Sequence, residues 1–268
     1  MSKLLNKPIT VHEVAGCPAR LRVGKTDHRL TSLLDHWRET GCWWEGEAEK
    51  DCTPARTESA PRRNPMGFTH LHVHSDYSFL DGASDLDALL AQCARLEMPT
   101  LAVTDHDNLC LAVRFLKAAK AADLKPILGA EVTLMGGHHL TLLARNRTGY
   151  ANLCQLLTQA CLSNERGKPQ TSKSALAAHH DGLIALSGCW RGEVPSLILR
   201  REFARAKEAA EWYRDTLGRE NYYLELQHTY RPGDCRLNRY LSQLAEAIGV
   251  QIVATNNVHY ATKPEFKV

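Results

Sequence analysis

Three histidines alternate within five residues, His70, His72 and His74, in the run FTHLHVHSDYS. Alternate side chains of an extended strand share a face, so these imidazoles are expected to point one way, with Leu71 and Val73 opposite. Imidazoles two apart at a strand end can converge on one metal ion. A polar edge strand is the ordinary alternative for any one of them taken alone. Asp81-Gly82 follows, a turn signal that carries a carboxylate. A second apolar run, LAV, ends in Thr104, Asp105, His106 and Asp107. Functional groups of parallel α/β folds collect at the carboxyl ends of strands. Capping of the next helix would account for Asp107 or Asn108, but not for the pair Asp105-His106. Glu131 interrupts the apolar run ILGAEVTL. A buried carboxylate needs a partner, and the residues alone leave a metal, a base role and a structural salt bridge open. His138-His139, Ser187-Gly188-Cys189 and Asn256-Asn257-Val258-His259 mark three further strand margins. Nitrogen, oxygen and sulfur donors gathered in this way suit zinc, with manganese or iron at the oxygen-rich positions.

The elements that must position these groups alternate in type. Strands are expected at 68–73, 100–104, 126–134, 139–144, 182–187, 222–227 and 251–255. Amphipathic helices are expected to start at Ser84, which can cap with Asp87 three residues on, and to span 109–122, 150–162, 194–217 and 236–248, the last closed by Gly249. Alternating β and α predicts a largely parallel sheet covered by helices. His139 stands at the start of its strand whereas the other candidates stand at strand ends. Either that strand runs differently or its boundary lies elsewhere.

Before residue 53 the texture is different. Short alternating runs between Gly16, Gly24, Gly41 and Gly46 read as a small, barrel-like β domain over 1–52. Residues 53–66, with three prolines between 53 and 67 and no apolar periodicity, read as a linker, and 67–268 as the α/β domain. Trp37, Trp43 and Trp44 are expected to pack the core of the small domain. A chain of 268 residues with 44% hydrophobic and 24% charged residues is expected to be globular. No apolar run approaches the ~20 residues of a membrane span, and the start lacks a signal-peptide core, so a cytoplasmic protein is expected. A net charge of +3 is too small to argue for nucleic-acid binding by itself. The nine cysteines form no CxxC pair, which argues for reduced thiols rather than a zinc ribbon.

In order along the chain, HLHVHSDYSFLDG, AVTDHDN, KPILGAE, HHLTLLARNRTGY, GLIALSGC and ATNNVHY resemble the motifs of the PHP (polymerase and histidinol phosphatase) domain over residues 67–268. Their wording is most similar to the N-terminal PHP domain of bacterial C-family DNA polymerase III alpha chains. The resemblance implies a seven-stranded (β/α) barrel that holds up to three divalent ions (zinc, manganese or iron) with nine side chains at one rim. Carried over residue by residue, His72, His74, Asp81, His106, Glu131, His139, Cys189 and His259 match eight ligand positions. At the ninth the family has the Asp of a TND triplet. Asn257 stands there, and its amide offers only a neutral carbonyl oxygen, so a weakened ion is expected. Glu131 and His106 are expected to serve catalysis, and Asp105 to orient neighbouring ligands.

The activity implied is metal-dependent phosphoester hydrolysis, as 3′–5′ removal of nucleotides from a DNA primer end during replication or damage-tolerant synthesis. The partners implied are DNA and either the remainder of a polymerase chain or other replication and mutagenesis proteins. A catalytically weak domain that supports the polymerase and a free-standing small-molecule phosphatase are the alternatives. TVHEV and LLDHWRETGCWWEGE resemble a small β domain of polymerase-like accessory proteins in damage-tolerance cassettes, which favours the error-prone type. Ser84-Asp-Leu-Asp87 reads as a helix start and not as catalytic aspartates of a polymerase palm. A fragment, a truncated product or a free-standing PHP protein is therefore expected, without polymerising activity of its own.

Overall fold

The computed structural model describes residues 9–14, 17–23, 26–29, 68–229 and 231–262. The chain divides into two compact units, residues 1–62 and 63–268. In the first, β1 (Ile9–Val14), β2 (Cys17–Val23) and β3 (Thr26–Arg29) form an antiparallel sheet in that order. Trp37, Trp43, Trp44 and the expected linker lie outside the described residues.

The second unit is a mixed α/β fold around one curled sheet. Its strands are β4 (Thr100–Val103), β5 (Lys125–Thr133), β6 (His139–Ala144), β7 (Leu183–Leu186), β8 (Tyr222–Gln227) and β9 (Gln251–Thr255), hydrogen-bonded in sequence order. Five of the six run parallel, and β6 is antiparallel to both β5 and β7. The reversal follows from the connection. Residues 134–138, with Gly136 and Gly137 at φ +95° and +79°, make a tight turn, so β5 and β6 form a hairpin instead of a helical crossover.

The sheet has six strands where seven were expected. Residues 68–73 are not a regular strand. They make isolated parallel bridges, His70 to Leu101 beside β4 and Val73 to Val258 just past β9. The hydrogen bonds Ala102 N to His70 O (2.9 Å) and His74 N to Val258 O (2.8 Å) tie the segment to both edges of the sheet. This curl brings the first histidines within reach of the last.

Helices cover the outer face. They are α1 (Leu86–Arg95), α2 (Ala112–Ala121), α3 (Arg147–Ser163), α4 (Lys173–Ala178), α5 (Glu193–Leu199), α6 (Phe203–Leu217) and α7 (Asp234–Ile248). Asp85, rather than Ser84, caps α1 by accepting from Ala88 N (2.8 Å); the Ser84 hydroxyl accepts from Ala261 N (2.6 Å). The expected helix 194–217 is broken between α5 and α6, where Arg201 adopts φ +65°. The short α4 has too few turns to show a periodicity.

The core has three parts. One lies between β5–β8 and helices α3–α7. A second joins β4 to α1 and α2 around the fully buried Phe115. A third, with Ala102, Leu143 and Leu186 at its centre and Leu71, Ile127, Tyr223 and Val253 against it, fills the concave side of the sheet.

Candidate metal centre

The reversal of β6 puts the start of that strand at the rim where its parallel neighbours end. His139 opens β6, Glu131 lies near the end of β5, and the two pair across the hairpin rim, with His139 Nδ1 3.0 Å from Glu131 Oε2. Beyond β4 the chain runs on through Thr104–Asp107 beside β5, with Asp107 N donating to Glu131 O (3.0 Å). That places His106 Nδ1 3.2 Å from the same Oε2. The bridged segment supplies His72, whose Nε2 is 3.2 Å from Glu131 Oε1, and His74, whose Nε2 is 3.6 Å from Oε2. One buried carboxylate therefore faces four imidazoles.

A second carboxylate closes the rim. Asp81 Oδ2 lies 3.0 Å from both His106 Nε2 and His259 Nε2. Its turn is tight: a Cβ on Gly82 would stand 1.8 Å from Ser75 O, so only glycine fits. Asn257 Oδ1 is 3.1 Å from His74 Nε2, and Cys189 Sγ is 3.6 Å from His139 Nδ1. All eight candidate ligands and Asn257 thus stand in one linked cluster. His70 joins none of its metal-sized groups and packs edge-on against Phe68.

Asp105 belongs to none of the metal-sized groups. It accepts from Ser75 N (2.7 Å), Ser75 Oγ (2.8 Å) and Ser78 Oγ (2.7 Å). With its single proton given to Asp105, the Ser78 hydroxyl accepts from His106 N (3.1 Å) and from His74 Nδ1 (3.1 Å). His74 then carries its proton on Nδ1, and Nε2 presents a lone pair to the cluster. His259 is set in the same way, because Nδ1 donates to Asn257 O (2.8 Å).

Charges in the cluster are strongly coupled. Burial opposes ionisation of Glu131, but the His72 charge and the hydrogen bond from His139 hold it well below the usual carboxylate range. The hydrogen bond from His106, and the His259 ring beside it, hold Asp81 low against the effect of burial. Burial opposes protonation of His72 as well, yet Glu225 and Glu131 on either side push it up to about 10. Burial and the neighbouring His72 keep His74 well below its ordinary value. Burial, then Glu131, pushes the Cys189 thiol up.

The residues fit divalent ions. Three groups have ligand atoms within 4.8 Å of one another: His72, His74 and Glu131; His74, Asp81 and His259; His106, Glu131 and His139. His72 Nε2 and Glu131 Oε1 are buried, face each other, and neither makes a well-formed hydrogen bond. Five imidazoles with neighbouring ring centres 4.5–5.1 Å apart around two carboxylates make a poor structural core, since the carboxylates favour protonated rings and protonated rings repel one another. Shared cations would resolve that conflict.

Glu225 was missed in the sequence. It is buried in β8, and Oε1 lies 2.8 Å from His72 Nδ1. The signal was present in YYLELQ, a carboxylate inside an apolar strand, as at Glu131. Capping, one alternative for Asp107 or Asn108, does not describe Asp107: at φ +50° it accepts from Thr133 N (2.7 Å) and Thr133 Oγ1 (2.6 Å), locking the turn after His106 to β5.

A curled α/β sheet with a histidine-rich rim defines a class, and comparison gives that class its name. The PHP domain family matches residues 70–229, and the chain belongs to it. Among curated relatives, the error-prone DNA polymerase of Symbiobacterium thermophilum is 51% identical over 220 residues, covering 76% of this chain and 20% of its own length. The DNA polymerase III subunit alpha of Escherichia coli K12 is 39% identical over 209 residues, covering 74% of this chain and 18% of its own. That of Saccharopolyspora erythraea is 36% identical over 228, covering 73% and 19%. The chain thus spans about a fifth of the length of these relatives. A Bifidobacterium adolescentis structure assigned as a metal-dependent phosphoesterase shares the fold, with TM-score 0.51 and 14% identity over 75% of this chain and 90% of that one.

Proposed function

We propose that the chain is a metal-dependent phosphoesterase that removes nucleotides from the 3′ end of a DNA primer. It would work as the N-terminal PHP part of an alpha-type polymerase chain, of the error-prone kind, or alongside other replication and mutagenesis proteins in the cytoplasm. Residues 67–268 would act as the metal-binding barrel domain, with a small, barrel-like β domain at 1–52 and a linker at 53–66. One observation carries the proposal: Glu131, buried, stands within 3.6 Å of His72, His74, His106 and His139. A carboxylate so placed can bridge two cations.

Up to three divalent ions (zinc, manganese or iron) would be held by His72, His74, Asp81, His106, Glu131, His139, Cys189 and His259, with Asn257 the weak position. Bound there, such ions supply positive charge that polarises a phosphoryl oxygen and lowers the pKa of water. Glu131 would bridge, and its low pKa keeps it a carboxylate without a proton to lose. Ser78, held by Asp105, and Asn257 O keep the Nε2 atoms of His74 and His259 unprotonated. His106, partly exposed, lies at the mouth of the cluster, where a substrate phosphate can approach. Among the described residues no helix is long and apolar enough to cross a membrane.

The test is release of nucleotides from a primer 3′ end with manganese or zinc, compared with a small phosphate ester. Loss in His106→Ala and Glu131→Ala supports the proposal; undiminished release in the double variant refutes it. Preference for the small ester would favour the free-standing phosphatase, and fewer than about one ion per chain a purely structural domain.

A further inference from the structure

We propose that Glu225 is the positioning residue for His72: it fixes which ring nitrogen faces the cations and so sets the affinity of the ion at His72, His74 and Glu131. The proposal rests on the metal-site reading above and adds a residue to it.

Three observations converge. His72 is wholly buried and lies between two glutamates, with Nδ1 2.8 Å from Glu225 Oε1 and Nε2 3.2 Å from Glu131 Oε1. A carboxylate can only accept, so the Glu225 contact keeps a proton on Nδ1, and an ion that displaces the proton of Nε2 meets that atom's lone pair. Glu225 itself is held. Its Oε1 accepts from Gln227 Nε2 (2.8 Å) and from Thr255 Oγ1, and its backbone N–H donates to Ser187 Oγ (2.9 Å). The carboxylate is thus held from β8 and the end of β9, and the Glu225 backbone from the residue after β7. Finally, among the described residues no other carboxylate touches His72 Nδ1; its further neighbours there, Thr141 Oγ1 (3.2 Å) and Gln227 Nε2 (3.3 Å), are neutral. Gln227 can only donate from that atom, so without Glu225 it would favour the opposite tautomer, with the proton on Nε2 and no lone pair for an ion.

A carboxylate behind a ligating histidine raises the basicity of the ring and holds its plane, and loss of such a partner costs about 10–100-fold in metal affinity. The test compares the whole chain with Glu225→Gln, Glu225→Asp and His72→Ala. Manganese and zinc affinities are measured by competition with a chelator, and the His72 tautomer by nitrogen-15 NMR of the zinc-loaded protein. Glu225→Gln is expected to weaken the tightest ion affected by His72→Ala about 10–100-fold and to abolish the downfield Nδ1–H signal, with partial recovery in Glu225→Asp. In a His72→Ala background it is expected to add less than about twofold, because its effect passes through that ring. Unchanged affinity and an unchanged Nδ1–H signal in Glu225→Gln overturn the assignment while leaving the metal site intact. Failure of the unaltered chain to bind either metal overturns both. Circular dichroism and thermal melting of the metal-free variants separate these outcomes from misfolding, and Glu225→Asp provides the second variant if Glu225→Gln does not fold.

Discussion

His139 Nδ1 stands 3.0 Å from Glu131 Oε2 although the two residues lie on strands that run in opposite directions. In a fully parallel sheet the start of β6 would lie at the far end from the carboxyl end of β5. The hairpin at 134–138 turns β6 round and delivers His139 to the same rim as His106, Cys189 and His259. The proposed site depends on that one reversal as much as on any single ligand.

Substituting Glu131 tests the centre of the cluster. Glu131→Gln keeps the shape and removes the charge that four imidazoles face. It is expected to lower bound metal to less than half and primer-end hydrolysis by about 10²-fold or more. The check is metal content by atomic emission together with nucleotide release. Full metal content in the variant would show that the carboxylate is not a ligand.

Asn257→Asp is expected to improve the site. The residue sits at φ +48°, a conformation that asparagine and aspartate both tolerate, and its Oδ1 already lies 3.1 Å from His74 Nε2. A full negative charge at that oxygen should tighten the weakest ion about tenfold or more. Calorimetric titration with manganese reads this directly; weaker binding would mean that the position does not face a cation.

Metal affinity is expected to rise with pH. The metal-free protein holds a proton on His72 up to about pH 10, because Glu225 and Glu131 favour the charged ring against the opposing effect of burial. An ion at Nε2 must displace that proton. Each displaced proton makes apparent affinity rise by about tenfold per pH unit below the pKa of the group. Calorimetry in buffers of differing ionisation enthalpy counts the protons released. An affinity flat from mildly acid to mildly alkaline pH contradicts the expectation.

Gly82→Ala should act through the backbone. The new methyl would meet Ser75 O, which cannot yield as a flexible side chain would, so the turn carrying Asp81 must shift. The expected result is selective loss of the ion held by His74, Asp81 and His259, seen as one fewer binding event in titration. Retention of every event would show that Asp81 does not ligate.

Phe115→Ala gives the opposite pattern. The ring is fully buried in the second part of the core, a cluster to which none of the candidate ligands belongs. Its loss is expected to cost about 3–5 kcal/mol of stability by denaturant unfolding. Below the melting transition, metal stoichiometry should not change.

Sequence and structure agree where a local pattern decides the outcome. The strands 139–144, 222–227 and 251–255 have the expected bounds, because compact apolar runs between turn residues leave little choice. The candidate ligands could be read as types at strand margins, but their convergence could not be derived from local pattern, since it depends on bridges between residues 70–73 and both sheet edges. Those bridges also explain why 68–73 is no regular strand: the segment is paired by one or two bonds a side, not by a continuous ladder. The break at Arg201 escaped because the apolar spacing continues across it, and only the backbone turn reveals two helices. Glu225 escaped because its partner, His72, is 153 residues away.

The most direct measurement is anomalous diffraction from manganese-soaked crystals of the whole chain. The expected result is strong peaks beside Glu131, with His72 and His74 on one side and His106 and His139 on the other, at about 2.0–2.3 Å from ligand nitrogen and oxygen atoms. Peaks confined to surface carboxylates, with none in contact with Glu131, would contradict a metal centre at this rim.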